Sequence, residues 1–161
     1  MSAGAQTRFR QGAIAQREAR VYKMLVAVDG SEHAFNAVRH AIDIARRIDD
    51  TRVVLINVQR PAMSGEVSNL LTAEQVMEQH TEAGNKALAG ARALLDAAGA
   101  ACQTEIGVGA PAETIAEFAE KCGCDVIVVG ASSHGRVHSL VLGSVAAKIV
   151  HIAELPVTVV K

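Results

Sequence analysis

Gly130 and the pair Gly143-Ser144 bracket a short polar stretch, Ala131-Ser132-Ser133-His134-Gly135-Arg136, and that arrangement suits an anion. Glycines let backbone come close to a ligand, hydroxyls add donors, and the unpaired N–H groups at the start of a helix point outward at negative charge. A β-branched run, Val126-Ile127-Val128-Val129, feeds the stretch, and an apolar-periodic segment without proline follows Ser144. His134, Arg136 and His138 lie in the same stretch, where they add positive charge beside a phosphate or simply face solvent. Asp29, before Gly30-Ser31, is a second chemical candidate. A carboxylate there accepts hydroxyl protons of a ligand, or only closes an Asx-type turn. Ser144 likewise either donates to an anion or caps its helix.

Other clusters are weaker. Cys122-Gly123-Cys124 lacks metal-ligand or redox spacing and reads as small residues between a helix and a strand. Glu74, Glu78 and Glu82 share one helical stripe, with no converging His or Asp, and read as a solvated face. There is no nucleophile elbow, no nucleophile–base constellation and no Gly-Lys-Ser/Thr at P-loop spacing. No catalytic residue and no metal site is therefore assigned, and efficient hydrolysis is not expected.

The elements that position these residues are regular from Tyr22 onward. Met24–Val28 and Val126–Val129 are unbroken apolar runs and Val53–Val58 is apolar but for Asn57, as expected of parallel strands covered on both faces. Ala101–Gly107 alternates, and Pro156 starts a last strand, Val157–Val160. Between the strands, helices are expected after Ser31 as N-cap, from Thr72 to Ala98 with Gly84 and Gly90 as weak points and Gly99 as stop, from Pro111, and from Ser144 to His151. The order is β-α-β-α-β-α-β-α-β, a parallel sheet with helices on both faces, whose ligands sit outside the carboxyl ends of the strands. Asp29, Val58, Gly107–Gly109 and Gly130 all fall at such ends.

Bulk properties agree. The 161 residues suit one domain plus an extension. Half are hydrophobic but only 2% aromatic, so the core is built from aliphatic side chains. A net charge of −1 requires neither nucleic acid nor an anionic membrane as partner. No apolar run is long enough to span a bilayer, and the first twenty residues lack the apolar stretch of a secretory leader. Three cysteines without a disulfide framework fit a reducing cytoplasm. Residues 1–21 form a basic arm, carrying Arg8, Arg10, Arg17 and Arg20, ahead of a domain at 22–161.

The segments KMLVAVDGSEHA, VVLINV, GAPAETI, DVIVVGASSHG, LVLGSVAAKIV and LPVTVVK together resemble the universal stress protein (UspA-like) family across the whole of 22–161. The resemblance implies an open five-stranded parallel sheet in the order 3-2-1-4-5 and a homodimer paired through the last strands. It also implies binding of ATP, or of AMP or ADP, with or without magnesium, by a stress-response regulator or sensor. The ATP-binding branch carries G-x2-G-x9-G-[S/T]. Here Gly130 and Gly143-Ser144 keep the outer spacing, and Ser133 stands where the second glycine is expected. By the same resemblance, Ala27, Val28 and Asp29 lie beside adenine and ribose, and Val58 lines the adenine. Gly130, Ser133, Gly143 and Ser144 cradle phosphates, with backbone N–H groups from Val145 and Ala146. The serine at 133 also supports a second reading, a nucleotide-free dimer acting through a protein partner.

Overall fold

A computed structural model describes residues 20–61, 72–131 and 142–161. The chain runs β1 (Tyr22–Ala27), α1 (Glu32–Ala45), β2 (Thr51–Gln59), α2 (Ala73–Ala97), β3 (Cys102–Val108), α3 (Pro111–Lys121), β4 (Val126–Gly130), α4 (Ser144–Ile152) and β5 (Val157–Val160). The five strands form one parallel sheet in the order β3-β2-β1-β4-β5. Fold class and strand order are those expected from the sequence. The basic arm lies outside the described residues except at its end, where Arg20 pairs with Asp125 at 2.7 Å.

The apolar runs became strands because successive side chains enter opposite layers, and both layers are covered. On one face Met24, Val26, Val53, Leu55 and Val128 pack against Ala37, Val38 and Ala41 of α1 and Leu88 and Leu95 of α2. On the other, Leu25, Val54, Ile56 and Ile127 meet Ile115 and Ala119 of α3 and Ile149 of α4. Small residues on the helices bring them close to the sheet. Gly84 and Gly90, weak points by sequence, allow close packing, Gly84 on β3 and Gly90 on α1, and α2 runs through both without a break. A Cβ on Gly84 would sit 2.8 Å from Ile106, and one on Gly90 3.0 Å from Phe35.

Helix ends follow local chemistry. The Ser31 hydroxyl accepts the Ala34 N–H at 3.2 Å and caps α1. Thr72 and Gln75 form a reciprocal capping box at α2. Gly99, at φ 67°, ends α2 as expected. α4 departs from one reading: its N-cap is Gly143, not Ser144, and Gly143 offers no side chain to the helix amides. Among the described residues, no helix is long and apolar enough to cross a membrane.

Candidate functional site

Strand order reverses at β1, which has β2 on one side and β4 on the other. Between the diverging chain exits, at the carboxyl ends, lies a cleft of about 360 Å³. One wall is the turn after β1. Ala27 is half-buried, Val28 is buried, and Asp29 is exposed at the rim. One Asp29 oxygen accepts the Ser31 N–H at 2.9 Å, so the Asx turn exists. The second carboxylate oxygen takes no bond among the described residues. The turn and a ligand therefore do not compete for the same atom.

The floor comes from the ends of β2 and β4. Val58 lines the cleft, half-buried, beside Asn57, the only buried polar side chain among the described residues. Asn57 donates from Nδ2 to the Val28 carbonyl at 2.7 Å and accepts from Gln59 Nε2 at 2.5 Å. It thus ties the end of β2 to the exit of β1 that presents Asp29. In the sequence Asn57 is the single polar residue within the second apolar run, and no local pattern gives it a role. Gly130 closes β4 against α1. A Cβ there would stand 2.4 Å from the His33 carbonyl oxygen. His33 itself lines the cleft, and its buried Nδ1 has no hydrogen-bond partner among the described residues. A histidine inside an amphipathic helix carries no distinguishing spacing, so nothing local in the sequence marks it.

The far wall is the first turn of α4. Ser144 is exposed, Val145 half-buried and Ala146 buried, and all three line the cleft. The first intrahelical bond runs from the Ala147 N–H to the Gly143 carbonyl at 2.8 Å. The amides of Ser144, Val145 and Ala146 precede it and receive no side-chain cap among the described residues. They carry the positive end of the helix dipole into the cleft. Arg60, exposed just past β2, stands at the mouth. The structure thus brings Ala27, Val28, Asp29, Val58, Gly130, Ser144, Val145 and Ala146 to one cavity, with Gly143 as the cap of its far wall. Ser133 lies outside the described residues, as do Gly135, His134, Arg136 and His138.

Two other candidates fall elsewhere. Glu74, Glu78 and Glu82 are exposed on α2, and among the described residues no cluster of His, Cys, Asp and Glu has metal-site geometry. Cys122 caps α3, Gly123 turns at φ 62°, and Cys124 is buried at the approach to β4. Burial pushes the Cys124 thiol up to about 11, well above neutral pH. Thiolate-seeking reagents are therefore expected to leave Cys124 unmodified in the folded protein and to reach it only after denaturation. Tandem mass spectrometry of the labelled peptide checks this; fast labelling of Cys124 in native buffer would contradict it.

The order 3-2-1-4-5, two helices on each face and a cleft at the switch point define a doubly wound α/β protein with an open cleft at the ends of its strands. The profile of the universal stress protein family matches residues 21–161, and the chain belongs to that family. It is 33% identical over 139 residues to a universal stress protein, MJ0531, of Methanocaldococcus jannaschii, covering 86% of this chain and 81% of that one. It resembles the solved UspA of Lactobacillus plantarum with a TM-score of 0.71 and 26% identity, covering 88% and 99% of the two chains. It shares its fold with the Archaeoglobus fulgidus universal stress protein solved in complex with dAMP, at a TM-score of 0.63 and 24% identity, covering 87% of this chain and 98% of that one.

Proposed function

We propose that this protein binds an adenine nucleotide (ATP, ADP or AMP) in the switch-point cleft, as a regulator or sensor in a stress response with little or no hydrolysis. The observation that carries the reading is the pairing, across one cavity, of the Asp29 carboxylate with the uncapped amides of α4. A carboxylate accepts hydrogen bonds from ribose hydroxyls; helix amides donate to phosphate oxygens. The apolar floor of Val58 and Ile56 suits a flat base between them. The same fold holds dAMP in the Archaeoglobus fulgidus protein. Magnesium, where present, would travel with the polyphosphate. The outer edge of β5, which among the described residues pairs only with β4, is the surface we assign to a homodimer, in a cytoplasmic protein that passes its signal to a further protein partner.

Calorimetric titration with AMP, ADP and ATP–magnesium tests the reading. Asp29→Asn keeps the turn, because its amide oxygen still accepts the Ser31 N–H, and removes the charge. It is expected to weaken nucleotide binding about tenfold, the scale of one charge-assisted hydrogen bond. No binding of any of the three by the unaltered protein at millimolar concentration would sink the proposal and leave the nucleotide-free dimer.

A further inference from the structure

The cleft does not end at the first turn of α4. It opens into a second compartment of about 680 Å³, bordered by Arg60, Pro111, Ser144 and Val145, which also line the first. Its remaining walls are the turn at Gly109-Ala110, the start of α3 and one turn of α4. Two cations face it, Arg60 and Lys148, and one carboxylate, Glu113. Lys148 follows Ser144 by four residues and so lies on the same helical face, one turn beyond the amides. Glu113 sits in the first turn of α3 and holds Lys148 in an ion pair across the two helices. The hydrogen bond from Lys148, then one from its own backbone N–H, hold the Glu113 carboxyl below the usual carboxylate range. Both side chains of the pair are roughly half exposed, at 54% and 41%. Arg60 makes no ion pair among the described residues.

We propose that Lys148 and Glu113 set the preference of this cleft for phosphate number. This rests on the reading of the first compartment as an adenine-nucleotide site. A first phosphate seated on the Ser144 and Val145 amides stands on the border of the two compartments, so each further phosphate enters the second. There Lys148 leaves Glu113 for the phosphate. An exposed lysine–carboxylate ion pair is weakly held, and a phosphate brings more negative charge and more acceptor oxygens to the same rotatable ammonium. Glu113 opposes the exchange twice, by competing for Lys148 and by repelling the incoming anion. The two residues thus act in opposite directions on di- and triphosphates, and neither touches a monophosphate.

Titrating AMP and ATP–magnesium into the unaltered protein, Lys148→Gln and Glu113→Gln decides the matter. Both residues are on the surface, and an unchanged circular-dichroism spectrum and melting point check that each variant folds. Lys148→Gln is expected to weaken ATP about tenfold and leave AMP unchanged. Glu113→Gln is expected to strengthen ATP severalfold, again without effect on AMP. Equal shifts for AMP and ATP, no shift in either variant, or weaker ATP binding in Glu113→Gln would overturn the assignment while leaving the nucleotide site intact. Failure of the unaltered protein to bind either nucleotide would instead remove the site itself, and the selector with it.

Discussion

Replacing Gly130 with alanine is expected to destabilise the protein by about 2 kcal/mol, lowering its melting point by about 6 °C for a domain of this size. The cause is space. Gly130 is not in the left-handed region, so its backbone would accept any residue. A methyl group, however, would stand 2.4 Å from the His33 carbonyl oxygen, 2.5 Å from its carbon and 3.0 Å from the Ala34 nitrogen. All three are backbone atoms of the first turn of α1, so no side chain can swing aside. Either β4 or α1 must move, and both line the cleft. Nucleotide binding should therefore fall along with stability. Gly99→Ala is the control. Gly99 has φ 67° and nothing within 4 Å of an added Cβ, so the change costs only about 1 kcal/mol of backbone strain and leaves the distant cleft alone. Thermal melts of the two variants, followed by titration, separate these effects. A Gly130→Ala protein that melts with the unaltered chain would show that close approach of β4 to α1 does not require glycine at 130.

That glycine illustrates what the sequence does and does not disclose. Its position, at the end of a buried β-branched run, was legible, because a strand covered on both faces must be apolar throughout and must stop where the chain reaches solvent. Its reason was only half legible. The approach of helix α1 to the end of β4 involves residues 97 apart, His33 and Gly130, which no local pattern connects. Gly84 and Gly90 follow the same logic, since helix propensity ranks them as breaks while tertiary packing makes them the places where Ile106 and Phe35 fit.

The cleft divides the same way. Asp29, Gly130 and Ser144 could be picked out because each ends or begins an element, and strand order puts such ends together. Asn57, His33 and Arg60 could not, because their parts in the cleft depend on neighbours supplied by other elements. Asn57 matters through the Val28 carbonyl, 29 residues away. The Lys148–Glu113 pair spans 35 residues and exists only because α3 and α4 pack side by side. The cap of α4 shows a different limit. Ser144 and Gly143 are both acceptable N-caps, and the same free amides serve capping or anion binding, so residue type alone does not choose between them.

The structure makes that choice, and it yields the largest expected effect on binding. With Gly143 as cap, the first amides of the helix have no side-chain cap among the described residues, and Ser144 is the exposed residue beside them. Ser144→Asp is expected to weaken ATP binding about a hundredfold, about 2.8 kcal/mol at ~1.4 kcal/mol per tenfold step. The carboxylate would occupy the positive end of the dipole and repel the phosphates. The same carboxylate should stabilise the empty protein, by about 0.5 kcal/mol, because a negative charge in the first turn favours the helix. Loss of binding would thus come with an unchanged or slightly raised melting point, which an unfolding artefact cannot produce. Ser144→Asn supplies the neutral comparison: similar in size, without the charge, it should lose far less affinity than the aspartate. The difference between the two variants measures how much negative charge the ligand places at this helix end. Equal binding by both would mean that no phosphate sits there, and the uncapped amides of α4 would then need another anion to explain them.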